Sequence, residues 1–145
     1  MPAHADIIVS SPDSTEVKLV VEAKLRVPNM EVAESQLKNF MLSMRCPLGL
    51  LMSPERLWIY IDRFTSDSED SIEKLGDFDI SELVKFGSFA IADGIAFEIA
   101  VQMWLEKLPS IMGPDRPRDP KLRQIINHYL IPAVETGVVR AAGPR

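Results

Sequence analysis

The sequence predicts an α/β domain: a mixed β-sheet flanked by helices, with an α-helical C-terminal part. Three observations carry that expectation. Two short runs rich in branched residues stand either side of a turn cluster near the N-terminus. A long segment of helical apolar period follows them. A continuous apolar run then reads as a strand covered on both faces.

The first strand is expected over 5–10 (Ala5, Asp6, Ile7, Ile8, Val9, Ser10) and the second over 17–25. Ser11, Pro12, Asp13, Ser14 and Thr15 form the turn between them, which makes the pair an antiparallel hairpin. Val27, Pro28 and Asn29 end the sheet. Asn29 suits a helix cap, and Glu31 and Glu34 suit the positive end of the helix dipole. Ala33, Leu37, Phe40, Met41 and Met44 fall on one helical stripe. Pro47 ends that helix, and Leu48 to Met52 is the apolar run, a buried strand. A turn at Ser53, Pro54 and Glu55 leads to a strand from Arg56 to Ile61. Strand, helix, buried strand is a βαβ crossover. Residues 1–64 thus form an α/β core, with residues 65–145 packing on the same domain.

The later chain reads less regularly. Thr65 to Asp79 is polar and acidic, a surface excursion, and Asp79 is placed to cap a short helix to Phe86. Ser88 to Leu108 reads as a long helix, apolar on more than one stripe, for the core or for another subunit. Pro109 to Pro120 is a stiff connector. The last helix carries Leu122, Ile125, Ile126, Tyr129 and Leu130 before Pro132 breaks it.

Composition narrows the function. The chain has 145 residues, a net charge of −5, 46% hydrophobic and 26% charged residues. That describes an ordinary soluble globular domain. One cysteine, Cys46, excludes an internal disulfide, and a cytoplasmic address is expected. No membrane span is expected, since Asp93, Glu98 and Glu106 interrupt the most apolar stretch. Residues 65–110 hold 3 Lys/Arg against 10 Asp/Glu, whereas residues 111–145 hold 6 against 3. Nucleic acid would therefore be met locally, and Arg116, Arg118, Lys121 and Arg123 are the basic cluster for it. Against this, the same cluster suits a solvated connector. His4 and His128 are isolated, and Trp58 and Tyr60 suit packing better than base stacking.

The hairpin holds the chemistry. A turn centred near residues 13 and 14 sets Asp6 opposite either Val21 or Glu22. Alternation puts Lys18, Val20, Glu22 and Lys24 on one face. In the Glu22 register two carboxylates meet across the strands. Like charges so placed repel unless a cation sits between them. Mg²⁺ or Mn²⁺, with the Ala23 carbonyl as a further ligand, would settle that repulsion. Lys24 would then orient a water or neutralise charge on a phosphoryl group. Alternating Lys and Glu equally describes a solvated strand face.

Asp6 before the turn, then Glu22, Ala23 and Lys24, resembles the core of the PD-(D/E)xK nuclease superfamily. It is most similar to the N-terminal nuclease domain of type I restriction enzyme R subunits. The helix bearing Gln36 and Phe40, the buried strand and the Leu57–Ile61 strand continue the resemblance over residues 5–61. It implies a restriction-endonuclease-like fold and Mg²⁺-dependent cleavage of DNA. Asp6, Glu22 and Ala23 would hold metal, Lys24 would position the attacking water, and Gln36 would assist. Phe40 stands where the family's Gln-x-x-x-Tyr motif has its tyrosine. The family also has a helix and a strand before the Asp strand. Only residues 1–5 precede it here, so the front is expected to be missing from this chain, supplied by a second copy or partner chain, or lost in a reduced form. A nuclease-like fold kept as an inactive assembly, regulatory or DNA-binding module is the alternative.

Overall fold

The computed structural model describes residues 5–81, 93–110 and 117–141. Its centre is a six-stranded mixed sheet in the order β5-β4-β3-β2-β1-β6. Strands β1 (Ile7–Ser10) and β2 (Val17–Ala23) form the hairpin, with Ile7 opposite Val21 and Ile8 opposite Val20. Helix α1 (Met30–Met44) carries the chain across to β3 (Leu48–Met52), parallel to β2 with Glu22 beside Leu51. Strand β4 (Arg56–Asp62) returns antiparallel to β3.

Local chemistry explains these boundaries. Asn29 is extended, and its Oδ1 accepts the Val32 N–H at 3.2 Å, which satisfies one free donor of α1. At the other end Arg45 is left-handed (φ 51°) and its N–H donates to the Leu42 carbonyl. Ala33, Leu37, Phe40 and Met41 are buried, as their spacing predicts, against Val20, Leu51 and Tyr60. The helix lies so close to β3 that a Cβ at Gly49 would stand 2.5 Å from Met41 Sδ.

Residues 65–79 depart from expectation. After a 3₁₀ turn at Glu69–Ser71, Ile72–Asp79 is a strand, β5, antiparallel to β4. Its exposed Glu73, Lys74, Asp77 and Asp79 give it the look of a loop, while Ile72 and Phe78 are buried. Buried Asp62 holds the connection, accepting from the Phe64 N–H at 2.8 Å and the Ser71 hydroxyl at 2.7 Å.

Helix α2 (Gly94–Lys107) starts later than Ser88, capped by Asp93 whose Oδ1 accepts the Ile95 N–H at 2.9 Å. Residues 82–92, including most of the short helix expected to Phe86, lie outside the described residues. One side of α2 (Phe97, Val101, Trp104, Leu105) is buried against Leu19, Val21, Leu50 and Ile59 on the sheet face opposite α1. Ile95, Ile99 and Met103 point outward and are exposed. One stripe of this helix therefore fills the core, and another faces outward.

Pro132 does not end the last helix. Helix α3 (Pro120–Ile125) runs through a π-helical turn (Ile126–Leu130) into α4 (Ile131–Glu135). Proline has no N–H to give the carbonyl four residues back, and its ring crowds that carbonyl. The chain widens instead, and Ile131 N–H donates to the Ile126 carbonyl. After Gly137 a sixth strand, β6 (Val138–Ala141), pairs antiparallel with β1, setting Arg140 opposite Ile8. Space, rather than backbone freedom, demands glycine at 137. A Cβ there would stand 2.7 Å from Val9 Cγ1, 2.8 Å from the Ala133 carbonyl oxygen and 3.0 Å from that of Ser10. Among the described residues no helix is long and apolar enough to cross a membrane.

On the α1 side, the Tyr60 hydroxyl donates to Glu34 Oε2, which also lies 3.0 Å from Lys74 Nζ. Burial opposes ionisation of Glu34, but the Tyr60 hydroxyl and Lys74 outweigh it and lower its pKa. The Tyr60 phenol is raised, by burial and by the Glu34 carboxylate.

Two expectations follow from these contacts. Gly137→Ala should lose about 1–3 kcal/mol in urea unfolding, because the buried Val9 side chain and two backbone carbonyls crowd the new methyl. Glu34 adds stability above its ordinary pKa of 4.5, and this is lost as pH falls through its lower folded value. Melting temperature should accordingly drop on acidification more steeply in the native chain than in Glu34→Gln.

Candidate active site at the end of the first hairpin

The observed register pairs residues whose numbers sum to 28, which brings Asp6 to the Glu22 end of β2. The chain bends at Asp6 rather than continuing the strand. Asp6 N–H donates to the Val21 carbonyl at 2.9 Å. Asp6 Oδ2 accepts the Ala23 N–H at 2.7 Å. The carboxylate thus occupies the ladder position where a β1 carbonyl would otherwise stand. It is held against the peptide that joins Glu22 to Ala23.

Both acids are buried, Asp6 at 5% exposure and Glu22 at 4%. Leu19, Val21 and Ala23 face the helical C-terminal part, so alternation turns Glu22 to the α1 side. Lys24 Nζ lies 4.0 Å from Glu22 Oε2, and its side chain is 37% exposed. Lys24 N–H donates to the Met52 carbonyl at 2.8 Å, which pins its backbone to the end of β3. The site therefore sits at the carboxyl ends of the parallel pair β2 and β3, where α/β sheets commonly place ligands. It has two buried acids below and one cation at the wet rim.

Among the described residues no three or more His, Cys, Asp or Glu side chains gather as a metal cage. Two carboxylates and a backbone carbonyl still match the needs of a hard cation that keeps part of its water. Ala23 N–H faces β1, and strand alternation turns the Ala23 carbonyl the same way, toward the Asp6 side.

Gln36 is exposed, one position from buried Leu37. Helical spacing places it on the flank of α1 opposite Glu34 and Lys38, which meet Tyr60. Phe40 is buried in the α1-side core.

Arg118, Lys121 and Arg123 are exposed, on and just before α3. That helix buries Leu122 and Ile125 in the core on the other face of the sheet, so this cluster and Glu22 lie on opposite faces. Arg123 Nε donates to the Pro117 carbonyl. Arg116 lies outside the described residues, as does His4. Arg140, which no sequence motif marks, shares the α1-side face through its pairing with Ile8. Its only signal was the branched pair Val138 and Val139 after Gly137.

Other candidates are structural. Burial pushes the Cys46 thiol up to about 12, so it is not a nucleophile near neutral pH. Tyr60 is buried and Trp58 half-buried, at the edge of the α1-side core. Compared with protein-family models, curated proteins and solved structures, the chain matches none of them.

The Asp6 contact makes a direct prediction. Asp6→Ala should cost about 1–3 kcal/mol in chemical denaturation, by stranding the buried Ala23 N–H. Asp6→Asn, whose amide oxygen can accept the same bond, should cost clearly less. Equal losses would mean that this bond contributes little to the fold.

Proposed function

We propose that the chain is a metal-dependent deoxyribonuclease of the PD-(D/E)xK type, hydrolysing phosphodiester bonds in DNA. The observation that supports this most is the meeting of Asp6, Glu22 and Lys24 at one strand end. Asp6, Glu22 and the Ala23 carbonyl would hold Mg²⁺ or Mn²⁺. That ion supplies Lewis acidity and lowers the pKa of bound water. Lys24, partly in solvent and beside Glu22, presents its ammonium to an incoming phosphodiester and stabilises charge developing on it. Gln36, exposed on α1, would keep the assisting role. The resemblance of residues 5–61 to the type I restriction enzyme R subunit domain supports the same reading. So does the sheet order, in which the hairpin carrying the acids adjoins a buried parallel strand.

A single buried cysteine fits a reducing, cytoplasmic setting. A second copy or partner chain belongs to the proposal too, supported by the outward apolar residues of α2.

The second reading is an inactive nuclease-fold module for assembly, regulation or DNA binding. It is favoured by the burial of both acids and by the use of Asp6 Oδ2 as a ladder acceptor. Supercoiled plasmid separates the two. The active reading expects nicking with Mg²⁺ or Mn²⁺, none in EDTA, and a loss of roughly 100-fold or more in Lys24→Ala. Equal rates in the native chain and Lys24→Ala would reject the assignment.

A further inference from the structure

Helix α1 covers only part of its sheet face. It packs over β3 and β2, whereas α2 and α4 meet β6 from the other side. On the α1 side Arg140 of β6 stands opposite Ile8 of β1, and Ile8 opposite Val20 of β2. Ile8 is half-buried and Arg140 exposed. A bulge between Val9 and Ser10 lets β2 run one residue longer than β1 at Lys18. Bulges re-aim side chains; Lys18 is the extra residue here, between Leu19 of the opposite core and Val17, which packs on the α1 side. The result is a shallow groove along β1, about 13 Å from Asp6 to Ser10 by strand rise. Ile8 and Arg140 lie along it, and the acids lie at one end.

The charges suit a polyanion. Arg140 Nη1 lies 3.5 Å from the Ser14 hydroxyl, a neutral partner. Lys18 Nζ is 4.0 Å from Glu16 Oε2, whose side chain is 73% exposed, a contact that water and salt readily loosen. Asp13, beside Ser14, is turned into its own loop by the Ser11 and Thr15 hydroxyls, which lower it to about 2. Cations here stand out in a chain of net charge −5.

We propose that this groove is the track for the substrate's sugar-phosphate backbone, with Arg140 and Lys18 as its phosphate contacts. The proposal rests on the nuclease reading of the acid site and adds how DNA reaches it. It assigns the strand β6 a function, and it moves the DNA contacts from α3 to the opposite face.

The test is fluorescence anisotropy of a labelled 20-base-pair duplex in EDTA, titrated at several salt concentrations. Each phosphate contact adds about 0.9 to the slope of log K against log salt. Arg140→Gln and Lys18→Gln should each lower the slope by about that much, and the double variant by about twice. A control, Lys121→Gln with Arg123→Gln, should leave it unchanged. An unchanged slope in the groove double variant, or a fall in the control instead, overturns the groove. Plasmid nicking, run in parallel, keeps the two ideas apart. Native cleavage with an unchanged slope rejects the groove and spares the nuclease. A reduced slope with full activity in Lys24→Ala does the reverse. No binding and no cleavage by the native chain rejects both.

Discussion

The parallel pairing of β2 with β3 constrains everything else in this molecule. Parallel neighbours need a crossover, and here it is α1, lying over the pair it connects. Gly49 lets the helix approach, and the stripe from Ala33 to Met41 fills the space beneath it. With that unit in place, β1 and β4 add on either side as antiparallel neighbours, and β5 and β6 become the edges. The same pairing puts Ala23 and Met52 side by side, and there the chain gathers its acids and Lys24.

Asp6 sits at the border between structure and chemistry. A carboxylate buried at a strand end must find donors, since an uncompensated buried charge is very costly. The Ala23 N–H is one such donor, and accepting from it aligns the Asp6 carboxylate with the peptide next to Glu22. The bond thus has the same geometric effect whether the site turns over substrate or only closes the sheet. What distinguishes the two is the rim, where Lys24 reaches solvent while the acids do not.

The first sixty residues were legible because each element there has a strong local signal. Turn residues, an Asn cap, a helical stripe and an apolar run agree with one another, and the hairpin index sum was one of the two anticipated. Later elements lack such agreement. Strand β5 alternates charges on its outer side and keeps few apolar residues, so its composition resembles a loop. Strand β6 is four residues long and follows a helix that continues through a proline. Periodicity favours α-helical hydrogen bonding and has no signature for the π turn. Gln36 is marked only by a motif, and its exposure follows from how α1 packs over β3, which no local pattern encodes.

The acidic outer edge has a consequence for the protein at high concentration. A sheet with open sides invites neighbouring molecules to extend it, and natural chains deter this with charges and irregular pairing. Strand β5 uses both, with Glu73, Asp77 and Asp79 along it and a break in register against β4 between Ile59 and Tyr60. The stretch that most resembles a polar surface loop therefore acts as a guard against edge-to-edge joining of one sheet to the next.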